Sequence, residues 1–141
     1  MKFKLIRPTL ETPFHIDWAW FDRNHLNAES FVRGQLCYSC HQRFEKGLAV
    51  EEVDHIDPET GEVIRMDSLR ESILAHCQMQ PDYLAPDVPV MQAILRVFLA
   101  NNNQPLTAVG LSQRLRRSDA ETLLRLLTAS GVQNGVVPVK L

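Results

Sequence analysis

From Val90 to Ala100 the apolar side chains fall at helical spacing, with Ile94, Leu95, Phe98 and Leu99 on one face. The pattern predicts a helix ended by Asn101-Asn102-Asn103. Pro105-Leu106-Thr107 opens a second helix, with Thr107 as N-cap and Val109, Leu111 and Leu115 as its apolar side. After Arg116-Arg117, Ser118-Asp119-Ala120-Glu121 has the form of a capping box, in which hydroxyl and carboxylate satisfy free backbone donors. Leu123, Leu124, Leu126 and Leu127 follow as a third, strongly apolar helix, which Gly131 stops. Asn134-Gly135 between Val132 and Val136-Val137 predicts a hairpin, because the pair accepts the positive φ angles of a two-residue turn.

The first half of the chain is patterned differently. Phe3, Leu5 and Ile6 predict a short strand ended by Pro8. Asp17 caps a helix through Trp18-Ala19-Trp20-Phe21-Asp22, and Asn27 caps another from Ala28 to about Gln35. The two tryptophans and the phenylalanines around them predict a small core. Residues 48–56 and 62–66 flank Asp57-Pro58-Glu59-Thr60-Gly61, a polar loop with Pro and Gly between β-branched runs, which reads as a β-hairpin. Ser68-Leu69-Arg70-Glu71 is another capping box. It opens a helix whose stripe carries Leu69, Ile73 and Cys77 at i, i+4 and i+8. Pro81, Pro86 and Pro89 then mark a linker. The expected organisation is a domain over 1–80, a linker over 81–89 and a second domain over 90–141.

Charge follows the same division. Of the 141 residues, 1–89 carry nine Lys/Arg against fifteen Asp/Glu, whereas 90–141 carry six against two, within a net charge of -2. A basic module beside an acidic one suggests an anionic partner for the former, or mutual attraction between the two. The N-terminus has no apolar run of signal-peptide type and no stretch is long enough for a membrane span, so a cytoplasmic protein is expected.

The three cysteines sharpen the picture. Cys37-Tyr38-Ser39-Cys40 presents two thiolates at the spacing that forms half of a tetrahedral zinc site, and Cys77 supplies a third sulfur. His76 is the favoured fourth ligand, provided the helix frays to turn it and Cys77 to one point; His55 is the alternative, and His41 also lies within the cysteine stretch. Three protein sulfurs and an imidazole close the coordination shell, so Zn2+ here would be structural. Cys37-Tyr38-Ser39-Cys40-His41 also matches the c-type haem attachment pattern, a chemistry of exported proteins, and a thioredoxin-type pair would want a preceding strand. There is no phosphate-binding glycine loop, G-x-S-x-G or H-E-x-x-H, and no enzyme is expected.

Residues 90–141 resemble the winged helix-turn-helix superfamily familiar from bacterial transcription regulators. The resemblance is carried by Pro105-Leu106-Thr107, Leu111-Ser112-Gln113-Arg114-Leu115, the helix Glu121 to Leu127, and Ser130-Gly131-Val132 leading into Asn134-Gly135. It implies double-stranded DNA as partner, with helix 119–129 in the major groove and Arg114, Arg116, Arg117, Thr122 and Arg125 as contacts. The same fold also serves for protein docking or self-association as a homodimer. The whole chain is loosely similar to a group of small bacterial proteins of unassigned role, through Phe14-His15-Ile16-Asp17, the cysteine pair, Asp57-Pro58-Glu59-Thr60 and Phe98-Leu99-Ala100-Asn101. The expectation is an α+β protein: a zinc-stapled domain of helices plus a hairpin, then a winged helix. Its expected role is DNA binding in transcription regulation, with a protein-docking adaptor as the alternative.

Overall fold

A computed structural model describes residues 7–129 and 131–140. The strand expected around Phe3 to Ile6 lies outside them, as does Ser130. Along the chain come β1 (Phe14–Ile16), α1 (Trp18–Arg23), α2 (Ala28–Arg33), α3 (Tyr38–Glu45), β2 (Glu52–Ile56), β3 (Val63–Asp67) and α4 (Ser68–Ala75). A 3-10 turn (Cys77–Met79), α5 (Val90–Ala100), α6 (Ala108–Leu115), α7 (Ala120–Thr128) and β4 (Val136–Pro138) follow. The protein is thus α+β, with helices around two small two-stranded sheets among the described residues. No helix among the described residues is long and apolar enough to cross a membrane.

The C-terminal turn forms, but its strand pairs elsewhere than expected. Asn134 and Gly135 take positive φ angles of 55° and 72°. The strand that follows, β4, then runs antiparallel to β1, with Ile16 opposite Val136 and Phe14 opposite Pro138. Among the described residues no hairpin forms with Val132, which stays exposed. The reason is burial: Phe14, Ile16 and Val136 are 1%, 1% and 2% exposed, and a local hairpin would forfeit the apolar contact that the two distant segments make. The other edge of β1 meets the loop before α6, where Phe14 and Leu106 exchange backbone hydrogen bonds of 2.8 and 3.0 Å. Asn103 adds a second clasp: its side chain accepts from Ile16 N–H at 2.8 Å and donates to Ile16 C=O at 2.9 Å.

One buried cluster takes in Phe21, Val32, Ile73 and Cys77 from the first half together with Ile94, Phe98, Leu111 and Leu123 from the second. The segment 81–89, expected as a linker, is strapped to this body. Tyr83 is buried, its hydroxyl donates to Arg96 C=O at 2.7 Å, and Arg96 Nη1 donates back to Tyr83 C=O at 2.8 Å. Arg96 Nε also donates to the buried side chain of Gln35 at 2.8 Å, joining the end of α2 to α5.

Helix starts follow capping chemistry, with two shifts of one residue. Asp17, Asn27 and Thr107 cap α1, α2 and α6 as expected. Asp67 rather than Ser68 caps α4, and Asp119 rather than Ser118 caps α7, each carboxylate accepting the backbone N–H three residues on. A carboxylate in extended backbone aligns with the helix dipole as a hydroxyl does not. Ser68 is free for other work: its hydroxyl accepts from Glu51 N–H at 3.1 Å and donates to Ala49 C=O at 3.2 Å. The expected hairpin is present as β2–β3, with Glu52 opposite Asp67 and Ile56 opposite Val63.

Candidate metal centre

Helix α3 was not anticipated, and it shapes the centre. Its buried side is the pair Cys40 and Phe44, one turn apart. Cys37 is its N-cap residue and Cys40 lies in its first turn, so the Cys-x-x-Cys segment is a helix start rather than a free turn. The unpaired N–H groups and positive dipole end of such a start favour thiolate over thiol.

The other two donors arrive from the end of α4. That helix stops at Ala75, His76 leaves helical geometry at φ -137° and ψ -59°, and a 3-10 turn begins at Cys77. Cys77 therefore does not continue the α4 stripe as expected, although it is fully buried. The break at His76 is what lets two adjacent side chains face one point.

The donor atoms of Cys37, Cys40, His76 and Cys77 all lie within 4.8 Å of one another, and together they could hold a metal ion. His76 Nδ1 is 3.2 Å from Cys37 Sγ and 3.5 Å from Cys40 Sγ. Tetrahedral zinc, with bonds of about 2.3 Å to sulfur and about 2.0 Å to nitrogen, has sulfur-to-nitrogen edges of about 3.5 Å. The two distances from His76 Nδ1 are near that edge. Cys37 N–H donates to Cys77 Sγ at 3.2 Å, an outer hydrogen bond that supports negative charge on sulfur. All three cysteines are free.

The metal-free chain divides its protons unequally among the thiols. Burial would raise Cys37, but hydrogen bonds from the Ser39 hydroxyl, the Cys40 backbone and the Cys77 and Cys40 thiols outweigh it and bring Cys37 down to about 6. Burial pushes Cys40 up, and the neighbouring Cys37 sulfur pushes it further. Burial pushes Cys77 well above the ordinary thiol range. Ser39, with its hydroxyl 3.5 Å from Cys37 Sγ, was not singled out in the sequence. Its place inside the Cys-x-x-Cys spacer was the signal available.

The alternative histidines lie elsewhere. His55 Nδ1 is 3.7 Å from Glu71 Oε1, and His41 Nε2 is 3.8 Å from Glu45 Oε1; neither belongs to the cluster. The two thiols of the haem-like pattern face His76 and not His41.

The five expected nucleic-acid contacts are not equivalent. Arg114 and Arg125 are exposed on α6 and α7, and Arg116 is exposed between them in left-handed backbone at φ 58°. None of the three forms an ion pair among the described residues. Arg117 is committed inward, donating to the carbonyls of Ala85 and Pro86 at 3.3 and 2.9 Å. Thr122 is half-buried, with its N–H bound to the Asp119 cap. Pro8 to Glu11 border the face of α7 that carries Glu121, Leu124 and Arg125. Comparison of the chain with protein-family models, with curated proteins and with solved structures gives no match.

Proposed function

We propose that Cys37, Cys40, His76 and Cys77 hold a structural zinc ion, and that the chain is a non-enzymatic binding protein that contacts nucleic acid through α6, α7 and the turn between them. The zinc reading rests on the convergence of three sulfurs and one imidazole within 4.8 Å of one another, the donor set of a structural zinc site of three cysteines and one histidine. Bound zinc would supply a fixed cross-link between α3 and the end of α4, with no open position for substrate. The nucleic-acid reading rests on Arg114, Arg116 and Arg125, three exposed guanidinium groups without an ion-pair partner among the described residues. Guanidinium pairs with phosphate in a bidentate fashion and releases counterions as it does so.

The test is fluorescence anisotropy of zinc-loaded protein against mixed-sequence duplex DNA over a range of salt. Three phosphate contacts give a slope of log affinity against log salt of about -2.7. Arg125→Ala lowers that slope by about one unit. Absence of binding at low salt removes this reading.

A second reading, a protein-docking adaptor, is favoured by the segment Pro8 to Glu11. It borders the outer face of α7 beside Glu121 and Leu124, where a major groove would have to approach. Under that reading DNA does not bind, and the zinc centre keeps its structural role.

A further inference from the structure

On the acidic half of the molecule, the hairpin β2–β3 stands off from α4 and the end of α5 and leaves a groove of about 690 Å³. Asp54, His55, Ile56 and the loop through Glu59 line one side of it, whereas β3 contributes Ile64 alone. The groove therefore runs along β2.

The backbone of β2 is unpaired on that outer side. Asp57 N–H bonds to Glu62 C=O, and Ser68 N–H bonds to Glu51 C=O, each at 2.8 Å. Antiparallel ladders alternate, so Val53, His55 and Asp57 face β3, while the N–H and C=O groups of Glu52, Asp54 and Ile56 face away. Among the described residues those outward groups make no hydrogen bond. An open edge of this kind accepts a further strand.

Chemistry selects the strand. Among the described residues the groove is lined by the carboxylates Asp54, Asp57, Glu59 and Glu71 and by no Lys or Arg, over an apolar floor that includes Leu74 and Met79. Asp54 meets Arg65 at 3.1 Å and Glu71 faces His55, which leaves the groove acidic on balance. A second copy of β2 would set Glu52 and Asp54 against like charges, which disfavours self-pairing. We propose that this groove docks an extended segment of a partner protein in which Lys or Arg alternates with apolar residues, added as a strand along the free edge of β2. Its backbone bonds to Asp54 and Ile56, its apolar side chains cover Leu74 and Met79, and its cations meet Asp54, Glu59 and Glu71.

The probe is an acetylated, amidated Lys-Val-Lys-Val-Lys peptide titrated into isotope-labelled, zinc-loaded full chain and followed by amide NMR. A five-residue strand should bind with Kd on the order of 1 mM. The Asp54 and Ile56 amides shift most and exchange with solvent more slowly. The Glu-Val-Glu-Val-Glu peptide gives no such shifts. Ile56→Pro removes an outward donor that the hairpin does not use, and it should abolish binding while leaving the remaining spectrum intact. Asp54→Asn with Glu59→Gln should weaken binding at least five-fold. The proposal is overturned if the acidic peptide binds as well, or if the proline variant binds unchanged. It is equally overturned if no shifts occur at several times 1 mM, or if the same amides shift only with the concentration of the chain itself, which would mean self-pairing.

Discussion

Cys37 differs from the other two thiols in that the hydrogen bonds to its sulfur outweigh its burial. Its pKa near 6 leaves it ionised at neutral pH, while burial keeps Cys40 and Cys77 protonated. Metal binding needs all three as thiolates. Zinc uptake near pH 7.5 should therefore release about two protons per ion, those of Cys40 and Cys77. Calorimetry in buffers of different ionisation enthalpy reads this number directly, and a value of three would show Cys37 to be protonated in the free protein. Carboxylates set a second pH dependence. Hydrogen bonds from Glu59 and Thr60 N–H hold Asp57 below the usual range, and those from Thr122 do the same for Asp119. Arg23, through a hydrogen bond and its charge, lowers Asp17. A lowered folded-state pKa gives stability that is present above the unfolded value and lost as pH falls through the folded one. The stability gap between wild type and an Asp57→Ala, Asp119→Ala variant should accordingly close as pH falls below about 4. A gap that persists unchanged in acid would mean that the carboxylate charge contributes nothing.

At the scale of elements, the β1–β4 pair shows how a turn signal can be right and its pairing wrong. Asn134-Gly135 forms a turn, yet the close fit of Gly135 is against the first helix. A methyl group there would meet the Phe21 ring at 2.9 Å and Asp17 C=O at 3.0 Å, in backbone at φ 72°. Asp17 N–H also donates to Gly135 C=O at 2.8 Å. Gly135→Ala should thus destabilise the whole chain by more than about 1 kcal/mol in urea unfolding. A change within error would show that this approach is loose. The caps at Asp17, Asn27 and Thr107, the hairpin at 52–67 and helices α5 to α7 were legible because each is written in local spacing. Helix α3 was not, since only Cys40 and Phe44 between Tyr38 and Glu45 are buried and its stability comes from docking them. The partner of β4 was equally hidden, because it lies 120 residues away in sequence and no local rule reaches that far.

Across the whole molecule, the charge division visible in the sequence is real chemistry, but packing ignores it. The core joins Phe14, Ile73 and Cys77 to Ile94, Leu111 and Leu123, and the proline-marked segment between the halves is pinned through Tyr83, Arg96 and Arg117. The four residues that converge, Cys37, Cys40, His76 and Cys77, could be named from residue type and spacing, whereas the break at His76 that aims two of them could only be stated as a condition. Because Cys77 belongs to the same buried cluster, removal of the proposed zinc should be felt beyond α3. Chelation by EDTA should lower the thermal midpoint and leave a single unfolding transition reported alike by Trp fluorescence and helix signal. Two separated transitions, with only the first sensitive to EDTA, would show that the halves unfold independently.

The central claim is a closed centre of three sulfurs and one imidazole. Zinc-edge X-ray absorption on the purified, stoichiometrically loaded protein tests it most directly. The account predicts one zinc per chain, with three sulfurs at about 2.3 Å and one nitrogen at about 2.0 Å. It also predicts that Cys77→Ala loses the metal and much of the thermal stability together. A shell rich in oxygen, or a Cys77→Ala protein that keeps its zinc and its midpoint, would contradict it.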